Sequence, residues 1–270
     1  MFATMKLSLI TVCYNSAPTL PSAFESVLRQ HGADYEYLVV DGGSTDGTVA
    51  LLKEWEPRFG GRMRWTSERD RGLYDAINKG IARATGDLVA LLHADDILDG
   101  DGVVAAWCRA FEAEPALEAV YGDIRFIPND AADREAPTMR YYSGAFWRPW
   151  MFRWGLMPPH PSFAIRRACF AALGGYLPDT FRIAADHELL VRYLYKARLR
   201  ARYLPLCTTA MRLGGLSTDG VQARLRLNRE IVRANRMNGL WCCLPMMAPK
   251  YAYKAFEVLL PRLRRGRGSR

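Results

Sequence analysis

Residues 67–96 read SERDRGLYDAINKGIARATGDLVALLHADD. The stretch predicts a helix across Tyr74–Ala84 closed by Gly86, then an apolar strand, Leu88–Leu92, that runs straight into His93-Ala94-Asp95-Asp96. Working back towards the N-terminus, Met63–Thr66 reads as a short strand. Before it lies a helix through Val49, Leu51, Leu52 and Trp55, capped by Ser44 or Thr45. Tyr35–Val40 is a strand that stops abruptly at Asp41-Gly42-Gly43-Ser44. Pro18–Gln30 has helical spacing, with Leu20, Phe24, Val27 and Leu28 on one side. Leu7–Cys13 is a continuous apolar, β-branched run, suited to a strand buried on both faces. Alternation of this kind predicts an α/β fold with a mostly parallel, doubly wound, Rossmann-like sheet flanked by helices.

Beyond residue 115 the pattern loosens. Ala119–Ile127 reads as a strand and Pro128–Pro137 as a polar loop, while Tyr141–Pro159 is dense in Trp, Phe and Met. Asp186–Lys196 is an amphipathic helix and Ala201–Met211 a further strand. A long basic helix, Ser217–Asn238, begins at Ser217 or Thr218, and Gly239–Pro249 is apolar but broken by two prolines. The chain has 270 residues, half of them hydrophobic, which suits one α/β domain with an appendage. Of its 37 Lys and Arg residues 12 lie in residues 221–270, against 2 of its 28 acidic residues, so that segment carries +10 and the remainder −1. An electrically ordinary body argues against nucleic acid as its partner, and the basic tail points to an anionic one. The six cysteines show no CxxC pair and no metal-ligand spacing, as expected of buried thiols in a reducing compartment. The N-terminus reads as a first strand rather than a signal peptide, and no run approaches the roughly 18–20 apolar residues of a membrane span. A cytoplasmic protein is expected, peripheral on the inner face of the cell membrane.

In an open parallel sheet, ligands bind at the carboxyl ends of strands near the point where strand order reverses. Three polar clusters fall at such ends: Tyr14-Asn15, Asp41-Gly42-Gly43-Ser44 and Asp95-Asp96. Asp41 and its glycines equally suit a turn and helix cap. Adjacent carboxylates after a buried run repel one another unless a cation offsets them, which points to Mg²⁺ or Mn²⁺ at Asp95-Asp96, the alternative being a cap for a helix over Leu98–Trp107.

The succession TVCYN, EYLVVDGGSTDGT and SERDRGLYDAINKGIARATGDLVALLHADD resembles a family 2 glycosyltransferase over residues 6–215. The resemblance implies a nucleotide-binding fold of the glycosyltransferase A type, a nucleotide-sugar donor (a UDP-sugar favoured), a divalent metal and transfer with inversion. It places Val12 and Tyr14 beside the base and ribose, has Asp41 accept a hydrogen bond from the base, and sets the Asp70-Arg71 pair next to the nucleotide. Asp96 takes the place of the metal ligand and Asp95 lies nearer the ribose, although HADD departs from a spaced Asp-x-Asp. IAADHELLVRY resembles the catalytic segment, with Asp186 as general base. Because Asp186 and Glu188 lie two apart on one helix, only one can point into the site. His160 lies where the family often has a His or Gln on the acceptor side, and Arg212 in MRLGGLST resembles a loop that closes over the donor. The donor half is then about 1–127 and the acceptor half about 128–216, with 217–270 as a basic tail that anchors on an anionic membrane surface. The acceptor implied is a lipid-linked glycan, and single addition is expected rather than polymerisation, because the family's polymerising synthases carry several membrane helices and no such run is found in this sequence. Competing classes are a sugar-nucleotide pyrophosphorylase, whose Gly-rich, Arg-containing loop is lacking in TVCYNSAPTLP, and a non-catalytic nucleotide-binding or membrane-docking scaffold.

Overall fold

The computed structural model describes residues 5–131, 133–213 and 220–251. Strand β1 (Lys6–Cys13) has seven of its eight residues buried. It lies between β2 (Asp34–Asp41) and β4 (Leu88–Leu91), parallel to both, and β3 (Met63–Ser67) extends the parallel block beyond β2. Alternation along β1 splits the core in two. Leu7 and Leu9 pack with Leu20, Phe24 and Val27 of α1 (Leu20–Leu28), Leu52 and Trp55 of α2 (Thr48–Trp55), and Trp107 and Phe111 of α4 (Val103–Ala113). Ile10 and Val12 face the other way, towards Tyr74 and Ile77 of α3 (Leu73–Arg83), Phe170 of α5 (Arg167–Leu173) and Leu189 of α6 (Ala185–Leu190). Helices therefore cover both faces, as the alternation of strands and helices predicts.

Past β4 the sheet becomes mixed. Strand β8 (Ala164–Arg166) pairs antiparallel with β4, and β6 (Ala119–Ile127) antiparallel with β8. β9 (Ala201–Arg212) runs parallel to β6, and the two-residue β5 (Ile97–Leu98) closes the edge antiparallel to β9. A short β7 (Arg140–Tyr142) pairs with β6. Leu98 thus belongs to a strand, and the helix offered as an alternative over Leu98–Trp107 starts only at Val103, past Gly100 and Gly102. The cap of α2 also differs from expectation. Gly47 takes the N-cap position with φ 104°, while Asp46 Oδ1 accepts the Thr48 N–H at 3.0 Å. Ser44 is drawn instead towards Asp41 and the Asn15 N–H.

The aromatic stretch after β7 hangs on one buried carboxylate. Asp123 in β6 accepts hydrogen bonds from Tyr141 Oη (2.8 Å), Tyr203 Oη (2.9 Å), Ser143 Oγ (2.8 Å) and the Gly144 N–H (2.8 Å). Helix α7 (Gly220–Met237) packs Ile231 and Val232 against Ala184, Cys242 and Met247. The proposed caps Ser217 and Thr218, and residues 252–270, lie outside the described residues. Among the described residues no helix is long and apolar enough to cross a membrane.

Asp123→Ala is expected to lower unfolding stability by about 2 kcal/mol, since it strips one acceptor from four donors at once. A urea titration with an unchanged slope and a lower midpoint would show it.

Candidate active site

Register brings the first corner of the site together. Cys13 pairs with Asp41 and Asp41 with Ser67, so the ends of β1, β2 and β3 are level. The Asp41 carboxylate, buried, accepts from the Gly43 N–H (3.1 Å), the Ser44 N–H (3.0 Å), Ser67 Oγ (2.6 Å) and Ser44 Oγ. Burial opposes its ionisation, but these donors outweigh burial and hold its carboxyl below the usual range. Burial pushes the neighbouring Cys13 thiol far up, with Asp41 adding to the effect, so it stays protonated. Asn15, at φ 51°, laces the β1–α1 loop to the β2–α2 loop by accepting the Thr45 N–H at 2.9 Å. Val12 is buried and the Tyr14 ring exposed. A Cβ at Gly42 would stand 2.5 Å from Asp70 Oδ2, so glycine is what lets Asp70 approach this corner. Asp70 Oδ1 accepts the Gly72 N–H at 2.8 Å. Arg71 turns away from Asp70, pairing at 2.9 Å with both Asp75 and Asp179.

The second corner follows β4. Thr11 Oγ1 donates to Leu92 O at 2.8 Å, which holds the end of this strand beside β1. Asp96 is buried, and its Oδ2 has no hydrogen-bond partner among the described residues. Burial raises its pKa well above the ordinary carboxyl range, and Asp95 raises it further. Beneath the pair lies Arg212, the last residue of β9. It donates to Asp95 O (2.5 Å), to Ala131 O (2.8 Å) and to Ser22 Oγ (2.8 Å). Arg212 is buried under the dipeptide, with its donors spent on backbone and a serine. No three His, Cys, Asp or Glu side chains converge as a metal cluster among the described residues. A hard divalent ion nevertheless fits the orphaned Asp96 oxygen beside Asp95, provided that a ligand's oxygens complete its shell.

The third corner comes from the second half of the chain. Partly buried Asp186, in the first turn of α6, has Oδ1 against the His187 N–H (2.7 Å) and Tyr74 Oη (3.4 Å). Burial raises its pKa despite those donors. His93 feels both Asp95 and Asp186, and His160 feels His93, so these groups share one electrostatic neighbourhood. His160 Nε2 lies 2.8 Å from Tyr176 Oη, and burial lowers its pKa to about 3, which keeps the ring neutral. Tyr176 stacks on Tyr74 with ring centroids 5.5 Å apart. Glu188 points elsewhere, held by Arg192 at 2.8 Å and Asn238 at 3.1 Å.

Helix α7 sets this corner from behind. Glu230 Oε2 accepts the N–H groups of Ile183 and Ala184, each at 2.9 Å, just before Asp186. One turn on, Asn235 Oδ1 meets His187 Nε2 at 3.0 Å. Sequence reasoning passed over Glu230, Asn235, Tyr74, Tyr176 and Ser67. Their partners lie 16 to 112 residues away, and no local pattern marked them.

Comparison with known proteins bears on what such a site does. The sequence matches Glycosyl transferase family 2 over residues 8–171. The chain belongs to that family. A PGL/p-HBAD biosynthesis glycosyltransferase of Mycobacterium bovis is 31% identical over 218 residues, covering 80% of each chain. An uncharacterized glycosyltransferase of Mycobacterium tuberculosis is 33% identical over 197 residues, 71% of this chain and 70% of its own. Among solved structures, the mannosyltransferase PcManGT from Pyrobaculum calidifontis superposes with a TM-score of 0.64 at 20% identity, covering 94% of this chain and 70% of that one. S. aureus TarS 1–349 in complex with UDP gives 0.61 at 16% identity over 85% of this chain and 65% of that one. This chain spans 39% of the longer TarS chain. At such identities the structures establish the shared fold. The protein is a family 2 glycosyltransferase, and the three corners mark the carboxyl edge of its sheet.

Asp96→Asn should stabilise the family 2 protein at neutral pH without metal ions, by about 1–2 kcal/mol, by removing a buried carboxyl whose ionisation folding opposes. With its folded pKa raised, Asp96 costs stability as pH climbs above the ordinary carboxyl range, so the gap should close on acidification. Urea midpoints of both proteins across pH would test this.

Proposed function

We propose that this glycosyltransferase moves a sugar from a nucleoside-diphosphate donor, a UDP-sugar favoured, to a hydroxyl of a lipid-linked glycan with inversion at the anomeric carbon. The observation that carries this reading is Asp186. It is a partly buried carboxylate of raised pKa, aimed by the His187 N–H and Tyr74, in electrostatic reach of the same His93 that feels Asp95. As the acceptor hydroxyl attacks, Asp186 takes its proton; the new bond forms between that oxygen and the anomeric carbon, and the bond from this carbon to the diphosphate breaks. Asp41, Tyr14, Val12 and Asp70 would bind the base and ribose, with Asp95 on the ribose side. Asp41 already has Ser44, Ser67 and two backbone N–H groups as donors. These hold it ionised as an acceptor for a base N–H. Asp96 would hold Mn²⁺ or Mg²⁺, which when bound neutralises charge on the departing diphosphate. Neutral His160 is suited to hydrogen bonding on the acceptor or phosphate side.

Support for the donor class comes from the solved relatives, whose complexes contain UDP and UDP-GlcNAc in TarS and GDP-Man with Mn²⁺ in PcManGT. A mycobacterial relative is named a PGL/p-HBAD biosynthesis glycosyltransferase, in keeping with transfer onto a biosynthetic acceptor. In this reading the tail, with its terminal Arg cluster, supplies an electrostatic anchor.

Asp186→Asn should keep nucleotide binding and cut transfer by roughly 100-fold or more, as expected for loss of a general base. In the unaltered enzyme the acid limb of the rate should lie above the ordinary aspartate range, because burial raises the pKa of the base. Tyr74→Phe should move that limb higher still by removing a donor to the carboxylate; an unmoved limb would separate Asp186 from the chemistry. A thermal-shift series with UDP, GDP, CDP and dTDP, each with and without Mn²⁺, should give one selective, metal-enhanced rise, with UDP expected. Absence of any rise would favour the scaffold reading.

A further inference from the structure

Two adjoining segments carry large apolar side chains that the fold leaves in water. In residues 146–154 the chain alternates: Trp147 and Phe152 turn inward, while Phe146 is 80% exposed, Trp150 59% and Trp154 36%. In the segment after α7, Trp241 is 64% exposed and Leu244 41%, while Cys242 and Met247 are buried. Asn235 ties the segments together, donating from Nδ2 to Phe152 O (2.8 Å) and reaching Cys242 Sγ at 3.3 Å. A Cβ at Gly155 would lie 2.9 Å from Met247 Sδ, so the chain just after the first segment sits close against the second. Scattered exposed aromatics are ordinary on soluble proteins; this many in two packed turns are not.

Charge says what covers them. Arg148 and Arg153 are exposed in the first segment and Arg236 in the last turn of α7, and residues 136–178 and 231–256 contain no Asp or Glu. Trp and Phe favour the level of lipid headgroups, where amphipathic rings meet both water and acyl chain, and Arg is drawn to anionic headgroups. We infer that the face made by Phe146, Trp150, Trp154 and Trp241 docks on an anionic lipid bilayer, with Arg148, Arg153 and Arg236 on the headgroups. This deepens the membrane part of the proposed function, replacing a charged tail alone with a folded surface. Its position has a consequence for the reaction. The same Asn235 that joins the two turns also holds His187, the residue next to Asp186, so the docked face stands one side chain behind the segment that carries the base.

The test is sedimentation of the full chain with vesicles of phosphatidylcholine alone and of equimolar phosphatidylcholine and phosphatidylglycerol. The unaltered protein should partition onto the mixed vesicles. The F146S/W150S/W241S variant should lose about tenfold in partition, since each ring contributes buried apolar area. Its unfolding midpoint and its thermal shift with UDP should not change. Should the triple variant fold poorly, each single substitution gives the same readout. Equal partition of variant and unaltered protein would assign binding to the tail's charge and overturn the proposal. Equal binding to neutral vesicles, or none to either, would overturn it as well. Because none of these readings requires transfer, loss of the docking face and failure of the glycosyltransferase reading are distinguished.

Discussion

Arg212 brings a full charge into a nearly closed space beneath two adjacent carboxylates, and much of the site's geometry answers to that constraint. Unaided, Asp95 and Asp96 would repel each other at the end of a buried strand. The guanidinium offsets part of that repulsion and spends its donors on Asp95 O, Ala131 O and Ser22 Oγ. One side chain at the end of β9 thereby joins α1, the loop after β4 and the loop after β6. The charge balance is left incomplete, since Asp96 Oδ2 stays without a partner among the described residues. A carboxyl placed in this way is held protonated more readily than ionised unless positive charge comes beside it.

The opposite wall uses a different device. Asp186 is carried on a six-residue helix that has little strength of its own, and α7 supplies what the helix lacks. Glu230 satisfies the N–H groups of Ile183 and Ala184, Asn235 meets His187, and Asn238 meets Glu188. Tyr74 reaches across from α3, so the first half of the chain also has a hand on Asp186. The first half of the chain and the segment that carries Asp186 are in this way mechanically joined, and the aromatic turns that pack on Asn235 share in the same arrangement.

Strand ends were legible because their cause is local. An apolar run that stops at Asn15, Asp41 or Asp95 marks both the edge of a sheet and the polar groups presented there. The helix caps were less so. Ser44 and Thr45 have the right chemistry for α2, but Asp41 and Asn15 compete for them, and Gly47 with Asp46 takes the position instead. Likewise Leu98 looked like the start of a helix, yet its pairing with Thr209 on β9 draws it into the sheet. In each case the competitor is distant along the chain.

What the sequence by itself determined is the α/β alternation, the carboxyl-edge clusters at Tyr14, Asp41 and Asp95-Asp96, and that Asp186 and Glu188, two apart on one helix, point different ways. These follow from periods of two and 3.6 residues, which are properties of short segments. Only the tertiary structure decided that Arg212 lies under the carboxylates, that Glu230 and Asn235 brace the segment of Asp186, and that the turns bearing Trp150 and Trp241 are joined through Asn235. Those facts depend on which remote segments pack together. A local pattern carries no trace of them, because side-chain hydrogen bonds and exposure are set by neighbours in space rather than in sequence.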